Sequence, residues 1–101
     1  MDLKDKLQSE ILDTQWEPVA PHFARGTVYL LDEDLDIVEV GQAMATDDIS
    51  QIKQFLDNGL MAPPTPEEAT LFAKESSILF KMLIIEPYVL IQRRIQGRNL
   101  Y

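Results

Sequence analysis

Ile78-Leu79-Phe80-Lys81-Met82-Leu83-Ile84-Ile85-Glu86-Pro87-Tyr88-Val89-Leu90-Ile91 is the stretch that decides the fold. Lys81 and Glu86 are its only charges. Its β-branched and aromatic content suits a pleated strand better than a helix, so a strand is expected over 78–92. Pro87 brings no N–H to a ladder, so the run must be split, bulged or placed on an edge. A second β-rich run, Thr27-Val28-Tyr29-Leu30-Leu31, follows Gly26 and predicts a strand over 27–31.

Helical signals surround these runs. Leu3, Leu7 and Ile11 recur every four residues, which predicts an amphipathic helix over 3–14 with Asp2 as its N-cap. Pro18 suits the first turn of a short helix over 18–25, ended by Gly26, with Trp16, Val19 and Phe23 turned to the core. Asp36 followed three residues later by Glu39 has the form of a capping box and favours a helix over 37–45. Val38 and Val40 also fit a strand, which would make 27–41 a hairpin. Asp47 or Asp48 caps a helix whose apolar face is Ile49, Ile52, Phe55 and Leu56, and Asn58-Gly59 stops it. Ala62-Pro63-Pro64 is an extended connector. Thr65-Pro66-Glu67-Glu68 combines an N-cap, a proline at N1 and an acid at N3, so a helix should run over 66–75. The fold expected is α+β, with about four helices packed on one face of a small, mainly antiparallel sheet. Residues 1–92 read as a single domain and 93–101 as a basic C-terminal tail, helical at first and then frayed.

The chain has 101 residues and no cysteine. That excludes thiol catalysis, a disulfide framework and any cysteine-based zinc or iron–sulfur site. Residues 1–50 hold 12 acids and 3 bases, and residues 51–101 hold 5 acids and 6 bases, which sum to the net charge of −8. Between Arg25 and Lys53 there is no base, while Arg93, Arg94 and Arg98 cluster at the other end. This balance argues against binding nucleic acid through its phosphates. No uncharged apolar run approaches the ~20 residues that span a bilayer, and the first residues do not form a signal peptide. A cytoplasmic setting away from membranes is expected.

Candidate chemistry is sparse. Asp32, Asp34 and Asp36 fall at i, i+2 and i+4, the start of a calcium loop. Such a loop needs glycine at position 6 and glutamate at position 12. Ile37 and Ala43 stand there, which leaves only a looser divalent-ion site beside a solvated turn and an N-cap. His22 is the only histidine, with Arg25 close by, and no serine is near enough for it to activate. Glu86 lies inside an apolar run beside Tyr88, and Tyr29 and Tyr88 are placed to line a groove. His22, Arg25, Glu86 and Tyr88 are therefore the ligand-binding candidates. No Ser-His-Asp set, paired catalytic carboxylates or phosphate loop is legible, so no catalytic residue and no cofactor is assigned.

The stretch Leu35–Asp48 resembles the signature of the DUF2288 family of small bacterial proteins of unknown function. Trp16 with Pro21, His22 and Arg25 is similar to a second shared element, and Glu86–Gln92 to a third. The resemblance implies a bacterial origin and carries over no activity, cofactor or site residue.

Three functional readings follow. The first is a non-enzymatic binding or regulatory module, acting as a homo-oligomer or with a protein partner. A twofold dimer would use the long apolar run, through Met82, Ile84, Tyr88 and Leu90. The second is a small-ligand or divalent-ion binder. The third is a small enzyme built on Glu86 and His22.

Overall fold

The computed structural model describes residues 2–94. The elements run α1 (Leu3–Ser9), β1 (Leu12–Thr14), α2 (Ala20–Ala24), β2 (Val28–Leu31), α3 (Ile37–Ala45), α4 (Ile49–Asp57), β3 (Met61–Ala62), α5 (Pro66–Lys74), β4 (Phe80–Ile85) and β5 (Tyr88–Arg93). The strands form one sheet in the order β1-β4-β5-β2-β3. Every pairing is antiparallel except β2 with β5. The class is α+β with a mostly antiparallel sheet, as the sequence predicts.

The apolar run 78–92 is not one strand. Glu86-Pro87 forms the turn of a hairpin, and β4 and β5 pair from Phe80↔Arg93 to Ile85↔Tyr88. This hairpin is the centre of the sheet rather than an edge. Side chains alternate across a strand, and here both sides are buried. Leu83 and Leu90 join Leu7, Leu31, Ile37, Val38, Val40 and Phe55 in one apolar cluster. Phe80, Val89 and Ile91 join Trp16, Val19, Val28 and Phe72 in a second. The helices therefore occupy both faces, with α1, α3 and α4 on one and the shorter α2 with α5 on the other, rather than one face alone. A strand covered on both faces reads as a continuous apolar run, which explains the composition of 78–92.

Local chemistry sets the helix starts. The Asp36 carboxylate accepts from the Val38 N–H at 2.9 Å, and the helix over 37–45 follows. Asp48, not Asp47, caps α4, accepting from the Gln51 N–H at 3.2 Å. Thr65 and Glu68 close a reciprocal capping box on α5. Within α3, Gly41 permits close approach to the sheet: a Cβ there would lie 2.7 Å from Leu83 Cδ2 and 3.3 Å from Leu7 Cδ1.

Three elements depart from the expected boundaries. The first helix ends at Ser9, because Leu12–Thr14 leaves it to pair with Met82–Phe80 as an edge strand. The connector before Pro63 contributes Met61–Ala62 as the opposite edge, paired with Leu31–Leu30. Arg93 belongs to β5, and Arg94 binds Asp13 at 2.7 Å while its N–H donates to the Leu79 carbonyl. The rest of the basic tail, 95–101, lies outside the described residues. Among the described residues, no helix is long and apolar enough to cross a membrane.

Candidate functional site

The register of the central strands builds one concave site. Tyr29 pairs with Leu90 in the parallel β2–β5 ladder, and Ile85 pairs with Tyr88 across the hairpin. Tyr88 lies two residues before Leu90, on the same sheet face, and so stands diagonally beside Tyr29. The two rings meet with centroids 5.9 Å apart and planes tilted by 57°. This is the face that α3 and α4 cover, but their cover stops short of the hairpin tip. The chain turns at Asp47, whose φ of 55° is left-handed, a conformation aspartate tolerates better than most residues. The uncovered end is a cleft of about 360 Å³. Its sheet wall is Tyr29, Ile85 and Tyr88, its helix wall Met44, Ile52 and Leu56, and Met61 lies behind them.

Among the described residues, Asp47 and Glu86 are the only charged ones lining this cleft, and both are exposed acids. The ion pairs among the described residues join Lys6 to Glu10, Lys53 to Asp57 and Arg94 to Asp13, so they engage neither acid. The arrangement is an apolar, tyrosine-walled recess with negative charge on its rim.

A second recess, of about 370 Å³, lies between Trp16, Glu17, Ala20, Phe72 and Ala73. The Gln15 side-chain amide spans it, donating to the Ser76 carbonyl at 2.9 Å. Its two aromatic residues are core members, so it is a seam between α2 and α5.

The candidate residues of the sequence are dispersed. Glu86 and Tyr88 line the cleft. His22 and Arg25 do not: they sit at the end of α2, where His22 Nδ1 and Arg25 Nη1 lie 3.3 Å apart. Asp32, Asp34 and Asp36 do not converge on an ion. The Asp32 carboxylate accepts from the Asp34 N–H at 3.0 Å, and Asp36 caps α3. Among the described residues, no three metal-ligating side chains come together. The interface set also divides. Leu90 is fully buried under α3 and cannot meet a partner, and Tyr88 faces the cleft. Met82 is half-buried and Ile84 is 42% exposed, and these two share the opposite face.

Other site residues carry weaker signals in the chain. Met44, Ile52 and Leu56 read as helix faces, and Asp47 reads as an alternative cap; only the α3–α4 corner aims them at the hairpin.

Comparison with known proteins places this geometry in context. A family model described as a protein of unknown function, DUF2288, matches residues 2–93. The NMR solution structure of PA1075 from Pseudomonas aeruginosa is 30% identical and covers 98% of this chain and 91% of its own, with a TM-score of 0.80. No curated protein matches the chain.

Proposed function

The chain belongs to the DUF2288 family, whose function is unknown, and from its own surface we propose a non-enzymatic binding module working through the Tyr29–Tyr88 cleft. One observation carries this reading: the cleft is an apolar recess of about 360 Å³ whose rim acids lack a partner in the described ion pairs. Recesses of ~300–1,000 Å³ with apolar walls and a few polar groups are where proteins hold small molecules. Glu86 lines this cleft and His22 does not, so the cleft does not bring the two together as an acid–base pair. The setting proposed is the bacterial cytoplasm.

The test is a titration of ¹⁵N-labelled protein with a small-molecule extract of its host, followed by amide shifts. Shifts are expected at Tyr29, Met44, Ile52, Leu56 and Tyr88. A set of shifts centred on Trp16 and Phe72, or no shifts, would overturn the assignment.

A different observation favours a second reading, a twofold dimer. Leu12 lies opposite Met82, and Ile84 stands two residues further along the same face. Leu12 is 58% and Ile84 42% exposed, beside the edge strand β1. Pairing of β1 with its copy would continue the sheet and bury this apolar strip on both partners. Sedimentation equilibrium should then give twice 11.6 kDa for the native chain, and 11.6 kDa for a folded Ile84→Lys variant. A native chain that stays at 11.6 kDa at millimolar concentration would remove the dimer.

A further inference from the structure

Resting on the cleft reading above, we infer that the ligand is a small organic cation, an ammonium or quaternary ammonium head carried on an apolar body. Charge complementarity selects it. Among the described residues the cleft is lined by two acids and by no lysine, arginine or histidine. A carboxylate or phosphate ligand would meet like charge at Asp47 and Glu86 and find no cationic partner. The protein's net charge of −8 adds to that bias. The walls then discriminate among cations. A strongly hydrated metal ion needs converging oxygen ligands, and among the described residues no such group of side chains exists. An organic cation needs instead electron-rich ring faces, apolar contact and nearby negative charge. Tyr29 and Tyr88 supply two rings at 57° to each other, Met44, Ile52, Leu56 and Met61 supply the apolar contact, and Asp47 and Glu86 supply the charge.

The size of the recess matches the head and a body of modest length. About 360 Å³ is near the lower bound of the range for bound small molecules. Tyr88 is 38% and Leu56 42% exposed, so both walls have surface to bury against a ligand.

The experiment uses three probes of similar size: benzyltrimethylammonium, benzyl alcohol and phenylacetate. Each is titrated into the ¹⁵N-labelled full chain. The cation is expected to shift Tyr29, Met44, Ile52 and Tyr88, to bind at least ~5-fold more tightly than the neutral probe, and to weaken as salt is raised. Asp47→Asn and Glu86→Gln should each weaken the cation ~3- to 10-fold and leave benzyl alcohol unchanged. Tyr88→Leu keeps the recess apolar but removes a ring face, so it should weaken the cation more than the alcohol. Equal binding of cation and alcohol at these residues would overturn the charge assignment while leaving the cleft as the binding site. Tighter binding of phenylacetate there would do the same. If none of the probes binds there, while the host extract still shifts these residues, the ligand class is wrong and the site stands. If the extract fails as well, both readings fall.

Discussion

Trp16→Ala is expected to lower the free energy of unfolding by about 3–5 kcal/mol, the range for removing a buried aromatic side chain. Trp16 is buried and holds three rings together, with centroids 5.5 Å from Phe23, 5.4 Å from Phe72 and 6.3 Å from Phe80. Phe72 and Phe80 also meet edge-on at 5.0 Å. These contacts tie α2 and α5 to the second face of the sheet. Domains of this length are stabilised by only ~5–15 kcal/mol, so the variant should melt on the order of 20 °C lower. Urea unfolding followed by circular dichroism measures it. Trp16→Phe keeps most of the ring area and should lose less than half as much. A Trp16→Ala variant within about 1 kcal/mol of the native chain would mean that this cluster does not anchor the second face.

The sequence signals that succeed are local. The capping box at Thr65–Glu68 and the cap at Asp36 act within one turn of chain, and both helices start where those residues place them. The signals that mislead are long-range. Ile11 extends the four-residue spacing of Leu3 and Leu7, yet Leu12–Thr14 is claimed by β4, nearly seventy residues away in sequence. The run 78–92 announces strand by its residue types, but an unbroken apolar strand reads alike whether helices or a second copy cover its other side. Only the second helical layer, assembled from Trp16, Val19 and Phe72, distinguishes the two cases. Leu90 consequently belongs to the core and not to an interface.

The same division governs the site. Tyr29, Glu86 and Tyr88 stand out as chain positions, because aromatic and acidic residues near a proline turn invite a ligand reading. Asp47 and Leu56 do not, since their role depends on where α3 ends. That corner is set by the left-handed Asp47, which lets α4 depart and leaves the hairpin tip bare. The end of one helix thus creates both the recess and half of its negative rim.

Gln92 is the one buried polar side chain among the described residues, and its replacement should have the second large effect. Its amide nitrogen donates to the Asp32 and Leu35 carbonyls, fixing the acidic turn that joins β2 to α3. Gln92→Leu would take this donor from both carbonyls. The Asp32 carbonyl keeps the Leu35 N–H at 3.1 Å and the Leu35 carbonyl loses its side-chain partner, with an expected loss of about 1–2 kcal/mol. Gln92→Glu preserves the shape but sets a carboxylate against the same two oxygens. Burial and the facing carbonyls disfavour the charged form and are expected to raise its folded-state pKa above the ordinary glutamate value, against the opposing pull of Lys81, its cross-strand partner. Below the ordinary value the group is protonated in both states and can still donate one hydrogen bond, so the penalty is small. As pH rises through the window between the unfolded and the raised folded pKa, the unfolded state alone loses its proton, and stability falls. Gln92→Glu should therefore approach the native chain at pH 4 and drop below Gln92→Leu at pH 8, as measured by urea midpoints. A Gln92→Glu variant whose stability relative to the native chain does not change between those pH values would show that residue 92 does not hold the turn from inside the sheet.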